Sequence, residues 1–417
     1  MRLAVLCPHF APDLAPTGEV VTRLVHELAA RGHRIDVVTA LPWYLHHDVE
    51  PGWRGRPVRR ERTGWGTITR VHPFPTDKRS IPRRAIGFGA FSALAGLAAA
   101  AGPRVDVVLA MSPPLTLGLT GWAAGLVRRA PLVFNVQDVF PDVAIEVGAL
   151  TNRRVIDAAR RLELATYARS AAVTVLSDDL RDNLVAKVGP ERADRIRVIP
   201  NFVDIDAVRP ADRMTPYRRE LGIPEQHTVV LYAGNMGFSQ SLPSVVDVAR
   251  RLADRPVTFL FNGGGSAREA LVHAAAGLTN VVFAPYQPRA RLAEVLATGD
   301  IHLVPLRAGL ARSSVPSKTY SILAAGRPLV AAIDEGTEVA RVVTEAGAGL
   351  AVRPDDPAVL HDALCSLLDD PDRARAMGVR GRAWVERWLS PASVAERYEE
   401  LFVEVRRAAG RGRLRLR

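Results

Sequence analysis

Cysteine is scarce in this sequence: Cys7 and Cys365 are the only two, and they lie far apart along the chain. Two distant cysteines exclude a disulfide framework and a cysteine-based metal site, and they favour a reducing compartment. The first residues, MRLAVLCPHF, show a strand-like pattern and lack the apolar stretch of a secretory signal peptide. We therefore expect a cytoplasmic protein.

Long uncharged runs are also scarce. The segment IGFGAFSALAGLAAAAG, residues 86–102, carries no charge and is bounded by Arg83, Arg84 and Arg104. A membrane-spanning helix needs about 20 apolar residues, and this run is shorter and rich in glycine and alanine. We predict a helix that either packs inside the protein or rests on an anionic membrane surface.

Several catalytic signatures are missing. The pattern G-x-x-x-x-G-K-[ST] does not occur, which excludes a P-loop NTPase, and no G-x-G-x-x-G opens the first strand–helix unit, which argues against an NAD enzyme. His46 and His47 have no partners at metal-ligand spacing, and no nucleophile elbow is present. We expect neither a metal site nor a cofactor.

The composition supports large cores and anionic ligands. The chain has 417 residues, 48% of them hydrophobic, and a formal net charge of +11. This length predicts two domains, and the positive charge favours partners such as nucleotides or phospholipids, although an arginine-rich genome produces the same bias. Nucleic acid is not an expected partner, because the basic residues are scattered and no aromatic stacking platform accompanies them.

Buried strand patterns alternate with amphipathic helices throughout the chain. VDVVLAMSP and APLVFNVQDVFPD are continuous apolar runs of the kind found in parallel sheets, and TVVLYAGNM restarts the alternation. We predict an α/β protein with two Rossmann-like, doubly wound domains facing across a cleft: residues 1–203, residues 204–390, and a C-terminal segment, 391–417, whose helix crosses back to the first domain and ends in an arginine-rich tail. Ligands of such sheets bind outside the carboxyl ends of the strands.

Two glycine-rich turns follow strands of the second domain. AGNMGFSQS, residues 233–241, places Gly234 where the backbone can approach a phosphate, with Asn235 and Gln240 as neutral donors. FNGGGSARE contains Gly263 in a second such turn. A simple tight turn explains either segment equally well.

The segment PSKTYSILAAG, residues 316–326, is the most specific local signal. Ser317 and Lys318 precede or begin a short helix, where a lysine ammonium can meet a diphosphate, and Gly326 ends that helix. The alternative is a surface lysine near a helix start.

Polar residues also follow strands of the first domain. Asp138 ends a buried strand and is a candidate base or a hydrogen-bond acceptor for a sugar hydroxyl, unless it caps the next helix. Neighbouring candidates are Gln137, Asp142 and, more weakly, Glu146. The loop PTGEVV, at the end of the first strand, presents Thr17, Gly18 and Glu19.

These motifs, in this order and spacing, resemble the retaining glycosyltransferases of family 4, which have the GT-B architecture. The resemblance covers about residues 2–400 and is carried by PTGEVVTRLVHELAARGHRIDVVT, VLSDDLRDNL, VIPNFVD, LYAGNMG, FNGGGSARE and LAAGRPLVA. AMSPPLTLG, NVQDVFPD and VPSKTYSILAAGRP are similar to the branch that builds O-antigen, colanic acid and related bacterial surface glycans.

The resemblance implies a nucleotide-diphospho-sugar donor, which is a substrate, held mainly by the second domain. It assigns catalytic roles to Asp138, near the donor sugar, and to Lys318, beside the diphosphate. The implied donor-binding residues are Gly18, Gly234, Asn235, Gln240, Gly263, Tyr286, Gln287, Ser317 and Ser321, with Tyr286 and Gln287 near the base. The sequence departs from the common pattern at Asn235 and Gln240, where many members have Arg and Lys, and at Gln137, where a histidine is common. Ser313 and Ser321 also stand where members carry glutamates, one of which holds the ribose.

The sequence thus predicts a metal-independent, hexosyltransferase-type enzyme that glycosylates a glycan or lipid-linked acceptor in surface polysaccharide or glycolipid synthesis. We expect it in the cytoplasm or on the inner face of the plasma membrane, where an anionic surface is a further partner. Two alternatives stay open. A sugar-nucleotide 2-epimerase would need acid–base residues that the histidine-poor second domain lacks, and a non-catalytic binding or scaffold protein would explain the missing glutamates.

Overall fold

The computed structural model of the chain describes residues 1–13, 15–44, 48–75, 81–146, 148, 150–237, 239–310 and 318–414. The chain forms two compact units. The first contains residues 1–201 together with the C-terminal residues from 391, and the second contains residues 202–390.

The first unit is built on an eight-stranded sheet in the order β3-β4-β2-β1-β5-β6-β7-β8. Its strands are β1 (Arg2–Leu6), β2 (Arg34–Ala40), β3 (Val58–Thr63), β4 (Gly66–Val71), β5 (Val107–Ser112), β6 (Leu132–Val136), β7 (Ala172–Val175) and β8 (Ile196–Val198). Its helices are α1 (Pro16–Ala30), α2 (Ile81–Ala100), α3 (Thr116–Arg128), α4 (Asp142–Glu146), α5 (Arg153–Arg169) and α6 (Asp178–Val188). Every residue of β5 and β6 is buried, as the continuous apolar runs predict.

One hairpin at the sheet edge escaped the sequence reasoning. Strands β3 and β4 pair antiparallel, whereas β4 pairs parallel with β2. β3 reads VRRERT, and its residues alternate between more and less exposed positions rather than forming a buried run. Gly66 is required where β4 meets β2, because a Cβ there would lie 1.9 Å from the carbonyl oxygen of Ile35.

The C-terminal helix α15 (Pro391–Leu414) belongs to the first unit. Tyr398 is buried, and its hydroxyl accepts a hydrogen bond of 2.9 Å from Asn135 Nδ2 on β6. Glu399 accepts a bond of 2.7 Å from Arg31, which ends α1. A buried tyrosine and a charged pair therefore attach this helix to the sheet that the first 200 residues form.

The second unit has a six-stranded parallel sheet in the order β11-β10-β9-β12-β13-β14. Its strands are β9 (Thr228–Asn235), β10 (Val257–Gly264), β11 (Val281–Ala284), β12 (Ile301–Pro305), β13 (Leu329–Ala332) and β14 (Gly349–Val352). Its helices are α7 (Pro216–Glu220), α8 (Leu242–Arg251), α9 (Arg268–Ala274), α10 (Leu292–Thr298), α11 (Lys318–Ala324), α12 (Glu338–Glu345), α13 (Pro357–Leu368) and α14 (Pro371–Trp388).

Helix α11, which carries Lys318, is held firmly at its C-terminal end. Gly326 follows it with φ 67°, the left-handed conformation that glycine adopts at helix ends. Gly378 of α14 lies so close that a Cβ would be 2.1 Å from the carbonyl oxygen of Gly326. Arg382 of the same helix donates to the carbonyl oxygen of Ala324 at 2.7 Å. This packing sets the position of Lys318 at the other end of a short, buried helix.

Helix α2 contains most of the uncharged segment 86–102, which the sequence predicted to be helical. Phe91, Ala95 and Ala99 on one of its faces are buried, while Ile86 and Leu97 are 73% and 71% exposed. The helix therefore packs against the protein with one face and leaves apolar side chains on the other. Among the residues that the structure describes, no helix combines the length and apolar character needed to cross a bilayer.

Candidate functional site

A cavity of about 210 Å³ lies within the second unit, bordered by the carboxyl ends of β9 and β10 and by the segment that follows β11. One wall is apolar and consists of Leu292, Val295, Leu296 and Ile322. The remaining lining comes from Ala233, Gly234, Asn262, Tyr286, Gln287, Pro288, Arg289, His302, Lys318 and Ser321. An apolar slot with a few polar groups is the usual form of a small-molecule site.

Lys318 supplies the ammonium group of this cavity. Its Nζ lies 4.0 Å from the centre of the Tyr232 ring, and 3.4 Å from where a Cβ on Gly234 would be. No carboxylate among the described residues lies within ion-pair distance of it. Surrounding protein atoms desolvate the ammonium and lower the pKa of Lys318 to about 7. A half-charged lysine of this kind gains its proton fully when an anion arrives beside it.

Tyr232 connects the lysine to the first glycine turn, and the sequence reasoning missed it. Its ring lies beneath the ammonium, and its hydroxyl donates a short hydrogen bond to the carbonyl oxygen of Asn235. The sequence did contain a signal for Tyr232. It lies two residues before Gly234 on β9, and residues two apart on a strand share a face.

Gly234 and Gly263 stand side by side on neighbouring strands. Both have positive φ values, 133° and 145°, and a Cβ on Gly263 would lie 2.0 Å from the carbonyl oxygen of Gly234. The close pairing of these two backbones explains the glycines without a ligand. Because Gly234 has no side chain, the backbone near the end of β9 lies directly beside Lys318.

The amide side chains of the first turn are used within it. Gln240 Oε1 accepts from the backbone N–H of Gly237 at 2.9 Å, and its Nε2 donates to Ser239 at 3.0 Å. Asn235 is exposed and lies against Gly237 and Gly265. Gln240 therefore holds the shape of the loop, while Asn235 remains accessible; their predicted donor contacts stay predictions.

Tyr286 and Gln287 line the mouth of the cavity. Tyr286 is 58% exposed and donates a 3.3 Å hydrogen bond to the carbonyl oxygen of Gly264. Gln287 donates to the carbonyl oxygen of Pro285 and accepts from Arg291. Desolvation lowers the pKa of Arg289, which lines the same mouth. An exposed ring and polar edges at this position suit a flat heteroaromatic group.

Ser321 also lines the cavity, one helical turn after Lys318, whereas Ser317 and Ser313 lie outside the described residues. His302 forms part of the deeper wall and is buried. Its Nε2 donates to the carbonyl oxygen of Leu296 at 2.9 Å, and burial lowers its pKa to about 3, so it stays neutral. His302 was not among the predicted site residues, and its side chain forms part of the cavity wall.

In the first unit, Asp138 follows β6 and is exposed, and desolvation by surrounding protein raises the pKa of its carboxyl group. Gln137 is buried instead. Its amide exchanges hydrogen bonds with Asn201 and donates to Asn135, so it shapes the interior beneath Asp138. The helix-capping alternative for Asp138 has no support, because α4 begins at Asp142.

Asp142 belongs to a half-buried ion cluster, which lines a separate pocket of the first unit. Lys187 Nζ lies 2.7 Å from a carboxylate oxygen of Asp142 and 2.7 Å from one of Glu163. Tyr167 and Asn183 each donate a hydrogen bond to this pair of carboxylates. The side chain of Glu146, the weaker candidate, lies outside the described residues.

The predicted loop PTGEVV is in fact the first turn of α1, which starts at Pro16. Proline is preorganised for the first helical position, so the helix begins earlier than the glycine suggested. Gly18 is buried, and a Cβ there would lie 2.8 Å from the Cβ of His9. Packing thus explains this glycine, and its predicted phosphate contact stays a prediction.

A larger groove of about 1110 Å³ lies on the first unit. It borders residues 130–132, residues 170–172, Arg195 and Arg197, at the amino ends of β6, β7 and β8. Parallel sheets bind ligands at the opposite, carboxyl ends. Two of the arginines that line it are also engaged, since Arg197 pairs with Glu404 and Arg169 covers Trp122. The smaller cavity beside Lys318 is therefore the better candidate.

Within the described ranges, no group of three or more His, Cys, Asp or Glu is arranged to hold a metal ion.

Two Rossmann-like units, with a glycine turn and a lysine beside a cavity of the second, are features of the GT-B glycosyltransferases. Comparison with known families agrees: the glycosyl transferase 4-like domain matches residues 17–201, and the glycosyl transferases group 1 domain matches residues 227–370. The chain belongs to glycosyltransferase family 4, as the sequence motifs predicted.

Curated relatives support this assignment, and solved structures share the fold. The chain is 28% identical over 366 residues to WcaI of Escherichia coli, named for colanic acid biosynthesis, covering 85% of this chain and 89% of that one. It is 29% identical over 404 residues to a D-inositol 3-phosphate glycosyltransferase of Nocardia farcinica, covering 92% and 85%. Sucrose-phosphate synthase from Thermosynechococcus elongatus shares the fold, with a TM-score of 0.70, 19% identity and coverage of 98% and 100%. Anabaena HepE, solved with UDP and glucose, has a TM-score of 0.69, 14% identity and coverage of 97% and 100%.

Proposed function

We propose that this enzyme transfers a hexose, with retention of configuration, from a nucleotide-diphospho-sugar to a glycan or lipid-linked acceptor of surface polysaccharide synthesis. The observation that carries the proposal is the Lys318 ammonium, which stands beside a bare glycine turn and has no carboxylate partner among the described residues. A diphosphate is the partner that such an unpaired cation suits. The similarity to WcaI supports the polysaccharide setting, and the UDP bound to HepE supports the donor class.

In this proposal the nucleotide base occupies the apolar slot behind Tyr286 and Gln287, and Ser321 meets the ribose. The diphosphate lies at Gly234, beside Lys318. As the bond between the sugar and the diphosphate breaks, negative charge grows on the leaving phosphate, and a preorganised ammonium stabilises that transition state more than the ground state. Lys318 supplies this charge, so we expect the transfer rate to be unchanged by EDTA.

A thermal-shift screen of UDP-, GDP- and dTDP-sugars tests the donor site. The best donor should raise the unfolding midpoint of the wild type, and Lys318→Ala should abolish that rise. Arg251→Ala removes the same charge from an exposed position on α8, outside the cavity, and should leave the rise intact. An equal rise in the wild type and in Lys318→Ala would contradict the proposal.

Product analysis with the best donor then identifies the reaction. Slow release of free sugar without an acceptor, together with transfer when acceptor is present, supports a transferase. Formation of an epimer would support a 2-epimerase, and binding without turnover would support a scaffold role. Asp138→Asn should lower the turnover rate at least tenfold while the affinity for the donor stays the same, if this carboxylate contacts the donor sugar.

We further propose that the exposed face of α2 rests on the cytoplasmic surface of an anionic membrane and brings the enzyme to lipid-linked acceptors. Ile86 and Leu97 are the apolar contacts, and the arginines that begin and follow the helix supply charge. Vesicles with anionic lipid should float the wild type at low salt but not a variant carrying Ile86→Asp and Leu97→Asp. Val379→Asp, at a residue 69% exposed on α14, is the matched control. Failure of the wild type to float would end the idea.

A further inference from the structure

The first unit contains a histidine–aspartate pair that the motifs did not reveal. His9 follows β1, and its Nδ1 lies 2.6 Å from a carboxylate oxygen of Asp13. The Asp13 side chain is fully buried, and 10% of the His9 side chain is exposed. The other carboxylate oxygen accepts from the backbone N–H groups of Trp43 and Tyr44, at 3.3 and 3.0 Å.

These contacts determine which ring nitrogen of a neutral His9 carries the proton. Both oxygens of Asp13 act as acceptors, so the short bond requires a proton on Nδ1 of His9. Nε2 then presents a lone pair, and among the described residues it has no hydrogen-bond partner.

The loop that carries the pair is held from several sides. Arg70 of β4, itself buried, donates to the carbonyl oxygens of Phe10 and Ala11. The backbone N–H of Ala11 donates to the hydroxyl of Thr22 on α1 at 2.9 Å. This immobilisation resembles the support that binding residues receive, since a fixed nitrogen loses little entropy when it meets a ligand.

The surroundings of His9 suit a carbohydrate. The ring of Trp43 stacks on the imidazole at 5.5 Å, and the ring of Tyr44 meets it edge-on at 5.1 Å. Aromatic walls around one fixed acceptor nitrogen provide apolar contact and a single directional hydrogen bond. The pair also lies after β1, at the carboxyl edge of the sheet, where α/β proteins bind ligands.

We propose that His9 is a substrate-binding residue whose Nε2 accepts a hydrogen bond from a sugar hydroxyl, with Asp13 as its positioning residue. The inference rests on the proposed glycosyl transfer. The hydroxyl belongs either to the acceptor or to the donor sugar, and the two sources are separated by experiment. No bond is made or broken at His9.

Two variants of the full chain test the proposal. Asparagine at position 9 can still donate to Asp13 but has no group at the site of Nε2, whereas glutamine reaches that site. His9→Asn should lower kcat/KM about tenfold, the usual effect of one lost hydrogen bond, and His9→Gln should retain most of the activity. Nucleotide affinity should stay at the wild-type value in both variants, and the unfolding midpoint should stay there in His9→Asn, which keeps a donor for Asp13. A loss in transfer alone assigns the hydroxyl to the acceptor, and a loss in donor hydrolysis as well assigns it to the donor sugar.

Two results would overturn the proposal: wild-type rates of both reactions in His9→Asn, or equal losses in both variants accompanied by a lower unfolding midpoint.

Nitrogen-15 NMR of histidine-labelled enzyme gives a test that needs no turnover. The His9 signals, identified by their absence in His9→Asn, should show a proton on Nδ1 and a lone pair on Nε2. The Nε2 signal should move when D-glucose, D-galactose or D-mannose is added. If the wild type shows neither transfer nor hydrolysis, the proposed function fails, and this titration alone decides on His9; a signal unmoved by all three sugars counts against it.

Discussion

Replacing Lys318 with methionine should stabilise the fold and abolish donor binding at the same time. Methionine keeps the length and the apolar stem of the side chain, and it removes an ammonium that the folded protein desolvates without a carboxylate partner among the described residues. The pKa of Lys318 falls from 10.5 to about 7 on folding, so the folded state disfavours the charged form. One pKa unit corresponds to about 1.4 kcal/mol, which sets an upper limit of about 5 kcal/mol. The contact with the Tyr232 ring offsets about 1–2 kcal/mol of this.

We therefore expect Lys318→Met to raise the free energy of unfolding by up to about 3–4 kcal/mol at pH 6. The gain should shrink as the pH rises from about 7 towards 10.5, because the unfolded chain binds the extra proton over this interval. Urea denaturation at pH 6 and pH 9 measures both values. Lys318→Arg is the control, since it keeps a cation and should not be stabilised.

Donor binding by the wild type should also weaken as the pH rises through the pKa of Lys318. A bound diphosphate restores the proton to Lys318, so the affinity of the wild type should fall about tenfold between pH 6 and pH 8. Calorimetry in phosphate and in Tris should show proton uptake as a difference in the apparent binding enthalpy. The reasoning is refuted if Lys318→Met is less stable than the wild type at pH 6, or if binding takes up no proton near pH 7.

Two further substitutions probe the packing that supports the sites. Lys187→Met should lower the free energy of unfolding by about 2–4 kcal/mol at pH 8, because it leaves Glu163 and a second carboxylate without their cation. Adding Glu163→Gln should restore part of this stability, and full stability of the single variant in urea would contradict the ion cluster. Gly263→Ala should abolish donor binding and lower the unfolding midpoint, because its Cβ would collide with the backbone of Gly234. Gly277→Ala has a similarly positive φ, 83°, with no atom within 4 Å, so an equal loss there would assign the effect to backbone strain alone.

Much of this architecture was readable from local patterns. Apolar runs such as VVLAMS and LVFNV are buried strands of a parallel sheet, and glycine turns follow β9 and β10 where the spacing placed them. Lys318 begins a short helix that ends before Gly326, as the segment PSKTYSILAAG predicted. Strand and helix periods depend on neighbours a few residues away, so the chain itself specifies them.

Local patterns failed where a strand lacked apolar residues or a helix began early. The edge strand VRRERT contains almost no apolar side chains, so its sequence does not distinguish it from a loop. The first turn of α1 contains a glycine that suggested a loop, yet Pro16 starts the helix and His9 packs against Gly18.

What the sequence determined by itself is the kind of protein: two α/β domains, glycine turns at the ends of two strands and a lysine at the start of one helix, because these depend on short-range order. Only the tertiary structure decided the chemistry of particular groups. Desolvation by the surrounding protein lowers the pKa of Lys318, and Lys187 pairs with Asp142 from another helix. Asp13 orients His9, and the backbone N–H groups of residues 43 and 44 hold the Asp13 carboxylate in place. Charge and hydrogen bonding act through space over a few ångströms, so they follow from which distant segments the fold brings together.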